Sequence, residues 1–224
     1  MELFIFVLEI IGTIAFASSG AMTAIEKNMD ILGVSVMGMT TAVGGGIIRD
    51  LILGINPPNA FQNPIYAIVS ILVSVSIFVI INSSTYVINK IGKQQYGKVV
   101  IFFDSIGLGI FTVVGVNVAI SNYSNSNLFL FVFIGVITGV GGGVLQDIMA
   151  DNMPYIFVKH VYASASIIGA IVCSMLWPIL GKTSSMSLGA IIVIMVRLLA
   201  AHYKWNLPKV KRVYDDSVNC SADD

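Results

Sequence analysis

The segment Gly38-Met-Thr-Thr41-Ala-Val43-Gly44-Gly45-Gly46-Ile-Ile-Arg49-Asp50 recurs later in the chain as Gly135-Val-Ile-Thr138-Gly-Val140-Gly141-Gly142-Gly143-Val-Leu-Gln146-Asp147. The match extends outward from both copies. Upstream, Glu9-x-x-Gly12-x-x-x-Phe16-x-x-x-Gly20-x-x-x-Ala24 pairs with Asp104-x-x-Gly107-x-x-x-Phe111-x-x-x-Gly115-x-x-x-Ala119. Downstream, Pro57 pairs with Pro154, and Tyr66-Ala67 with Tyr162-Ala163. Each unit holds three apolar runs, an odd number, so the second unit enters a membrane from the side opposite to the first. A three-plus-three inverted repeat follows, and such repeats place the functional site near mid-membrane at their interface.

Composition sets the medium. The 224 residues are 56% hydrophobic and only 11% charged, with a mean hydropathy of +0.90. Soluble domains hold about 45–50% apolar and about 25% charged residues. A cytoplasmic enzyme, a nucleic-acid binder and a disordered tail are excluded on that ground. A membrane-crossing helix needs roughly 20 residues, and the apolar runs place helices at 3–25, 31–54, 65–82, 99–121, 128–150, 160–179 and 184–203. Pro57, Pro58 and Pro64, the run Asn122 to Asn127, and Pro178 with Gly181 punctuate them. Strand-like alternation is lacking, which argues against a barrel. The fold class expected is an all-α membrane protein of seven transmembrane helices.

The organisation read from these runs is a first repeat at 1–82, a cytoplasmic linker at 83–98 and a second repeat at 99–179. A seventh helix at 184–205 and a polar cytoplasmic tail at 206–224 complete it. The N-terminus lacks a basic segment and a small-residue cleavage site, so it reads as the first span and not as a removable signal. Cys173 lies in an apolar run and Cys220 in the tail, a placement that suggests neither a disulfide nor a metal site. Lys27, Lys90, Lys93, Lys98, Lys159, Lys204, Lys209, Lys211 and Arg212 share one face, against Lys182 and Arg49 on the other. Positive charge stays cytoplasmic, which puts the N-terminus outside and the C-terminus inside. Trp177 and Trp205 fall near the two interfaces, where aromatic rings prefer to sit.

The triplets Gly44–Gly46 and Gly141–Gly143 fall near the bilayer centre. Small residues every fourth position let helices approach closely, and Gly38, Ala42 and Gly46 or Gly135, Gly139 and Gly143 form such stripes. Packing against one neighbour needs only one of three consecutive glycines, however, and each weakens a helix by roughly 1 kcal/mol relative to alanine. The expectation is a kink or break in both helices, with Thr41 and Thr138 nearby. Freed carbonyls would face protein or a wet path and suit a dehydrating cation such as K⁺. A hinge without an ion path is the alternative.

Glu9, Arg49, Asp50, Asp104, Asp147 and Arg197 fall within predicted spans, where charge is too costly to face lipid. Arg197 reads as structural, snorkelling or pinning the tail. Glu9 and Arg49 can pair near the outer mouth, with Asp50 capping a neighbour as the packing alternative. Gln146 stands where the first repeat has Arg49, so Asp104 and Asp147 lack a built-in cation, and Asp151 adds a carboxylate. An acidic cytoplasmic vestibule that concentrates cations is expected. Phe16 and Phe111 occupy equivalent central positions, as a hydrophobic gate or as filler beside glycines. Thr13, Ser18, Ser19, Thr23, Thr41, Thr112 and Thr138 make helices one, two, four and five the polar lining.

On Ser19-Gly20-Ala21, the paired Gly-Gly-Gly-x-x-(Arg/Gln)-Asp motifs and Arg197-Leu-Leu-Ala-Ala-x-x-x-Trp205-x-Leu207-Pro208, residues 3–210 resemble the prokaryotic branch of the TRIC family, the trimeric intracellular cation channels. The resemblance implies a homotrimer in the cell membrane. It also implies a pore in each protomer, lined by helices one, two, four and five, and permeability to monovalent cations, chiefly K⁺ with Na⁺ possible. No cofactor, resident metal, nucleic acid or enzymatic activity is expected; the partners are further copies of the chain and membrane lipids. Gln146 departs from the basic residue usual after the second triplet, and the long basic tail of animal members is missing. Bacterial relatives are also labelled glycine transporters, so a secondary carrier of glycine or another small zwitterion is the alternative. A membrane enzyme finds no nucleophile or metal spacing around His160 or His202.

Overall fold

The computed structural model describes residues 2–83, 93–123, 127–154, 156, 161–203 and 205. Every regular element among them is helical: α1 (Glu2–Glu26), α2 (Ile31–Ile52), the short α3 (Asn59–Gln62), α4 (Ile65–Ser83), α5 (Lys93–Asn122) and α6 (Leu128–Met149). A last helical stretch, Val161–His202, breaks at Gly181, whose φ of 73° and ψ of 173° are not helical. We call its limbs α7 (161–180) and α8 (182–202). A methyl placed on Gly169 would touch Val193 and the Gly189 carbonyl, and one on Gly189 would touch Cys173 and the Gly169 carbonyl. The limbs therefore run antiparallel. Six long apolar stretches, the last doubled back, make seven crossings. Helix α5 starts before the expected position 99. Residues 84–92, the tail from 206, Lys159, His160 and Lys204 lie outside the described residues.

Local chemistry sets the ends of the repeat helices, and it does so twice. Asp30 and Asn127 are N-caps, their side-chain oxygens accepting from the backbone N–H of Gly33 at 2.7 Å and of Leu130 at 3.0 Å. Both helices end in the same left-handed cap. At Gly54 (φ 69°), Gly54 N–H donates to the Leu51 carbonyl at 3.2 Å and Ile55 N–H to that of Asp50 at 2.8 Å. Asp151 (φ 52°) repeats this, its N–H reaching the Ile148 carbonyl at 3.1 Å and that of Asn152 the Asp147 carbonyl at 2.8 Å. The pattern is the Schellman motif, whose turning residue needs positive φ; glycine meets that freely and aspartate tolerates it. Asp151 is thus an exposed cap residue and adds no carboxylate to a vestibule.

The expected break at the glycine triplets is not present. Both run as α-helix without interruption inside Ile31–Ile52 and Leu128–Met149, so no backbone carbonyl is freed there. In the second triplet the glycines serve more than one neighbour: Gly141 and Gly142 admit α2, Gly142 also Phe16 of α1, and Gly143 admits Tyr162. A Cβ on Gly141 would press on Gly45 and Ile48 of α2, one on Gly142 on the Thr41 carbonyl and Phe16, and one on Gly143 on Tyr162 and Asp104. In return, a Cβ on Gly45 would collide with the Thr138 carbonyl oxygen. Helices α2 and α6 therefore cross backbone against backbone at the centre of the bundle, through equivalent residues. The pairing recurs throughout: Gly20 meets Thr41 as Gly115 meets Thr138, and Gly12 meets Phe111 as Gly107 meets Phe16.

Around this crossing, α1 packs on α2 and α4, while α5 packs on α6, α7 and α8. Ile110, Val113 and Val114 of α5 meet Ala170 and Cys173 of α7 and Met186 and Ala190 of α8 in one apolar cluster. Helix α4 is the outermost: only Ser70 and Ser74 are buried on it. Leu72, Ile80, Phe129, Ile179 and Met195 point outward, a surface suited to acyl chains.

Gly45→Ala, which forces a methyl into the Thr138 carbonyl, should cost about 1–3 kcal/mol, the usual range for overpacking. Gly97→Ala, in open space on α5, should cost nothing and raise stability by up to about 1 kcal/mol, the helix-propensity gain of alanine over glycine. Unfolding titrations in mixed micelles would compare the two.

Candidate functional site

Two cavities open from opposite ends of the bundle. The first, of about 50 Å³, lies at the end where α1 begins, among Glu9, Thr13, Gly46, Arg49, Asp50 and Phe111. Asn59 and Tyr66 also line it. The second, of about 220 Å³, lies at the other end, where Ser19, Thr23, Glu26, Asp104, Gln146 and Asp147 line it. Gly143, Asn152 and Tyr162 complete its polar wall. Along α1 the lining residues run Glu9 and Thr13, then Ser19, Thr23 and Glu26. Ser19 lies six positions after Thr13, about 9 Å of helix rise, and Phe16 stands in that gap. Its ring stacks on Phe111 with centroids 5.3 Å apart and planes 18° apart. Phe16 is 1% exposed, wedged against Gly107 and Gly142. The two aromatic rings and the glycine crossing divide the cavities.

At the first cavity, the buried charges pair differently from the expected Glu9–Arg49 contact. Arg49 Nε donates to Oδ1 of its own neighbour Asp50 at 2.8 Å. The other oxygen of Asp50 accepts from the Asn59 backbone N–H at 2.7 Å. Asp50 therefore satisfies the guanidinium and the start of α3 together, and is 0% exposed. Glu9 instead accepts from the Tyr66 hydroxyl. The geometric reason is sequence adjacency: Asp50 reaches Arg49 within one turn, which leaves Glu9 to the phenol that α4 presents.

The second cavity repeats the carboxylate–tyrosine pair. The Tyr162 hydroxyl donates to Asp104 Oδ1 at 3.2 Å, as Tyr66 does to Glu9. Gln146, at the place of Arg49, donates to Thr23 Oγ1 at 2.8 Å. Arg197 does not snorkel. It is 3% exposed, with its guanidinium carbon 4.8 Å from the Tyr162 ring centroid and Nη2 at 3.6 Å from Asp104 Oδ2. Asp104 thus has a cation behind it, contrary to the expectation from Gln146 alone. The arginine comes from a helix outside the repeat, where self-alignment cannot look.

The structure brings Glu9, Arg49, Asp50 and Gly46 to one cavity and Asp104, Gln146, Asp147 and Gly143 to the other, with Phe16 and Phe111 between. Thr41 and Thr138 do not line either cavity; each bonds its own helix, to the Met37 and Ile134 carbonyls. Gly44, Gly45, Gly141 and Gly142 belong to the crossing. Sequence reasoning missed Tyr66, Tyr162, Glu26 and Asn59. The first two were visible as a repeated Tyr-Ala pair; the others carried no signal beyond polarity.

A family model described as glycine transporter matches residues 6–82 and again 101–178. The inner membrane protein YadS of Escherichia coli, of the UPF0126 group, is 34% identical over 204 residues, covering 90% of this chain and 93% of YadS. A structure solved to explain conductance through TRIC cation channels is 37% identical, with a TM-score of 0.77, covering 92% of this chain and 96% of that one. A prokaryotic TRIC channel crystallised in KCl superposes with a TM-score of 0.83 at 29% identity, covering 92% of this chain and all of that one.

Asp50→Ala should cost about 3–5 kcal/mol, because it leaves the buried Arg49 guanidinium uncompensated and also uncaps α3. An SDS-unfolding titration of the variant against the parent chain measures this, and a loss below about 1 kcal/mol, the level of an exposed pair, would refute the buried-pair assignment.

Proposed function

The chain belongs to the glycine-transporter family, in its prokaryotic TRIC branch, and from that premise we propose that it is a monovalent-cation channel. K⁺ is the chief permeant ion, and one path runs through each protomer of a homotrimer. The observation that supports this best is the second cavity. Glu26, Asp104 and Asp147 line it and, among the described residues, no basic side chain does, so the field of these carboxylates concentrates cations and repels anions. The relatives named as cation channels point the same way. The path is shut at Phe16 and Phe111, where a narrow apolar constriction excludes water and ions. Exposed Lys27 and the position of Lys98 favour the second cavity as the cytoplasmic one. The N-terminus is then outside and the tail inside the cell membrane, with lipid against the apolar exterior.

With the triplets helical, no cage of carbonyls strips water from the ion. Charge, not coordination, does the selecting, and Na⁺ passes as well. Chemistry on the ion is not required, so neither a cofactor nor an enzymatic step enters this reading.

One observation favours a second reading, a carrier for glycine or another small zwitterion. The first cavity holds a carboxylate, Glu9, and a guanidinium, Arg49, in one small space, as an ammonium and a carboxylate would require. The three carboxylates that line the second cavity oppose passage of that carboxylate.

Purified protein in a planar bilayer should show discrete current steps, with K⁺ and Na⁺ conductances within a factor of about 10 because the helical triplets free no carbonyls to coordinate the ion. Electrically silent, saturable glycine uptake would instead establish the carrier. Phe111→Ala, which widens the first cavity at the constriction, should raise open probability roughly tenfold, equivalent to about 1.4 kcal/mol of closed-state preference. Gln146→Arg should lower cation current, and an unchanged single-channel amplitude would contradict the electrostatic role of the second cavity.

A further inference from the structure

Inverted symmetry leaves a deficit that the unpaired helix makes good. Glu9, Tyr66 and Arg49 of the first repeat correspond to Asp104, Tyr162 and Gln146 of the second. An arginine is nevertheless found against the second pair: Arg197 of α8, outside both repeats. Its Nη2 is 3.6 Å from Asp104 Oδ2, and its guanidinium lies over the Tyr162 ring. Asp104 and Tyr162 line the second cavity while Arg197 does not. The carboxylate is therefore placed between the guanidinium and the space where a cation would sit.

We propose that Arg197 sets the charge of the second cavity. From behind the wall it offsets Asp104, so the cavity presents a weaker negative field than its three lining carboxylates would give alone. The contact is a loose one. Neither Nε nor Nη2 of Arg197 has a hydrogen-bond partner among the described residues, so the arginine acts through its charge more than through a directed bond. A charge that works through its field can be moved: an arginine at 146, where repeat symmetry would put it, should replace one at 197. The consequence for conduction rests on the channel reading above, whereas the Arg197–Asp104 coupling does not.

Two measurements on the full chain test this. In planar bilayers at about 20 mM KCl, Arg197→Met should raise the current entering from the Asp104 end by about 2–5-fold. At about 1 M salt, where the screening length falls to about 3 Å, the difference should vanish. Adding Gln146→Arg to Arg197→Met should restore the parental current. A low-salt current equal to the parent's, or a change that persists at high salt, overturns the proposal, since a packing defect is not screened. Should Arg197→Met fail to accumulate in the membrane, Arg197→Gln carries the same test with a polar side chain of lesser bulk. The second measurement is thermal unfolding in detergent of Arg197→Met, Asp104→Asn and the double variant. Coupled losses, with the double variant melting above the additive value, support the pairing; additive losses overturn it. A parent chain that is silent in the bilayer defeats the channel reading, and the thermal cycle then decides the pairing alone.

Discussion

Everything in this bundle depends on two backbones touching. Where α2 meets α6, the Cα of Gly45 lies against Gly141, and the carbonyls of Thr41 and Thr138 occupy the space that side chains would fill. In lipid, helices gain little from hiding apolar surface, because acyl chains are as apolar as leucine; association comes from close packing. Contact at this depth brings the halves near enough for Phe16 to reach Gly142 and Gly107, and for Tyr162 to reach Asp104. Increase the separation by one methyl group and the aromatic stack, both cavities and both carboxylate–tyrosine pairs lose their geometry together.

The two halves share this centre but differ in how their ends are finished. The first cavity is small and its charges are internally paired, Arg49 with Asp50 and Glu9 with Tyr66. The second is larger and acidic, its arginine held behind the wall. Flanking support differs as well. Helix α7 is clasped by α8, whereas its counterpart α4 buries only Ser70 and Ser74. A molecule built by repetition is thus functionally polar: ions approaching from the two sides meet different fields and different walls.

Much of this was legible in the order of residues. The doubled motif pointed to the inverted repeat, the apolar runs to the seven crossings, and the equivalence of Phe16 and Phe111 to two central rings, which stack on each other. The triplets misled because helix propensity is a statement about one chain in isolation. Each glycine does weaken its helix, but the facing helix, Phe16 and Tyr162 use the room that missing side chains leave, and that is tertiary information. Arg197 misled for a related reason. Hydropathy places a charge along the membrane normal but says nothing of which way it faces, and nothing in the repeat pointed to a helix without a mate. Asp151 read as a pore charge until its positive φ showed it to be a turn residue doing the work of Gly54.

The reversal at Gly181 bears on where Arg197 sits. One residue joins α7 to α8, and the limbs touch along Gly169, Cys173, Gly189 and Val193. A linker that short keeps the start of α8 beside the end of α7. The last two crossings therefore form one hairpin, packed on α5 through Val113. That hairpin carries Arg197 to Asp104, so a charge behind the wall of the second cavity is held in place by a single-residue turn.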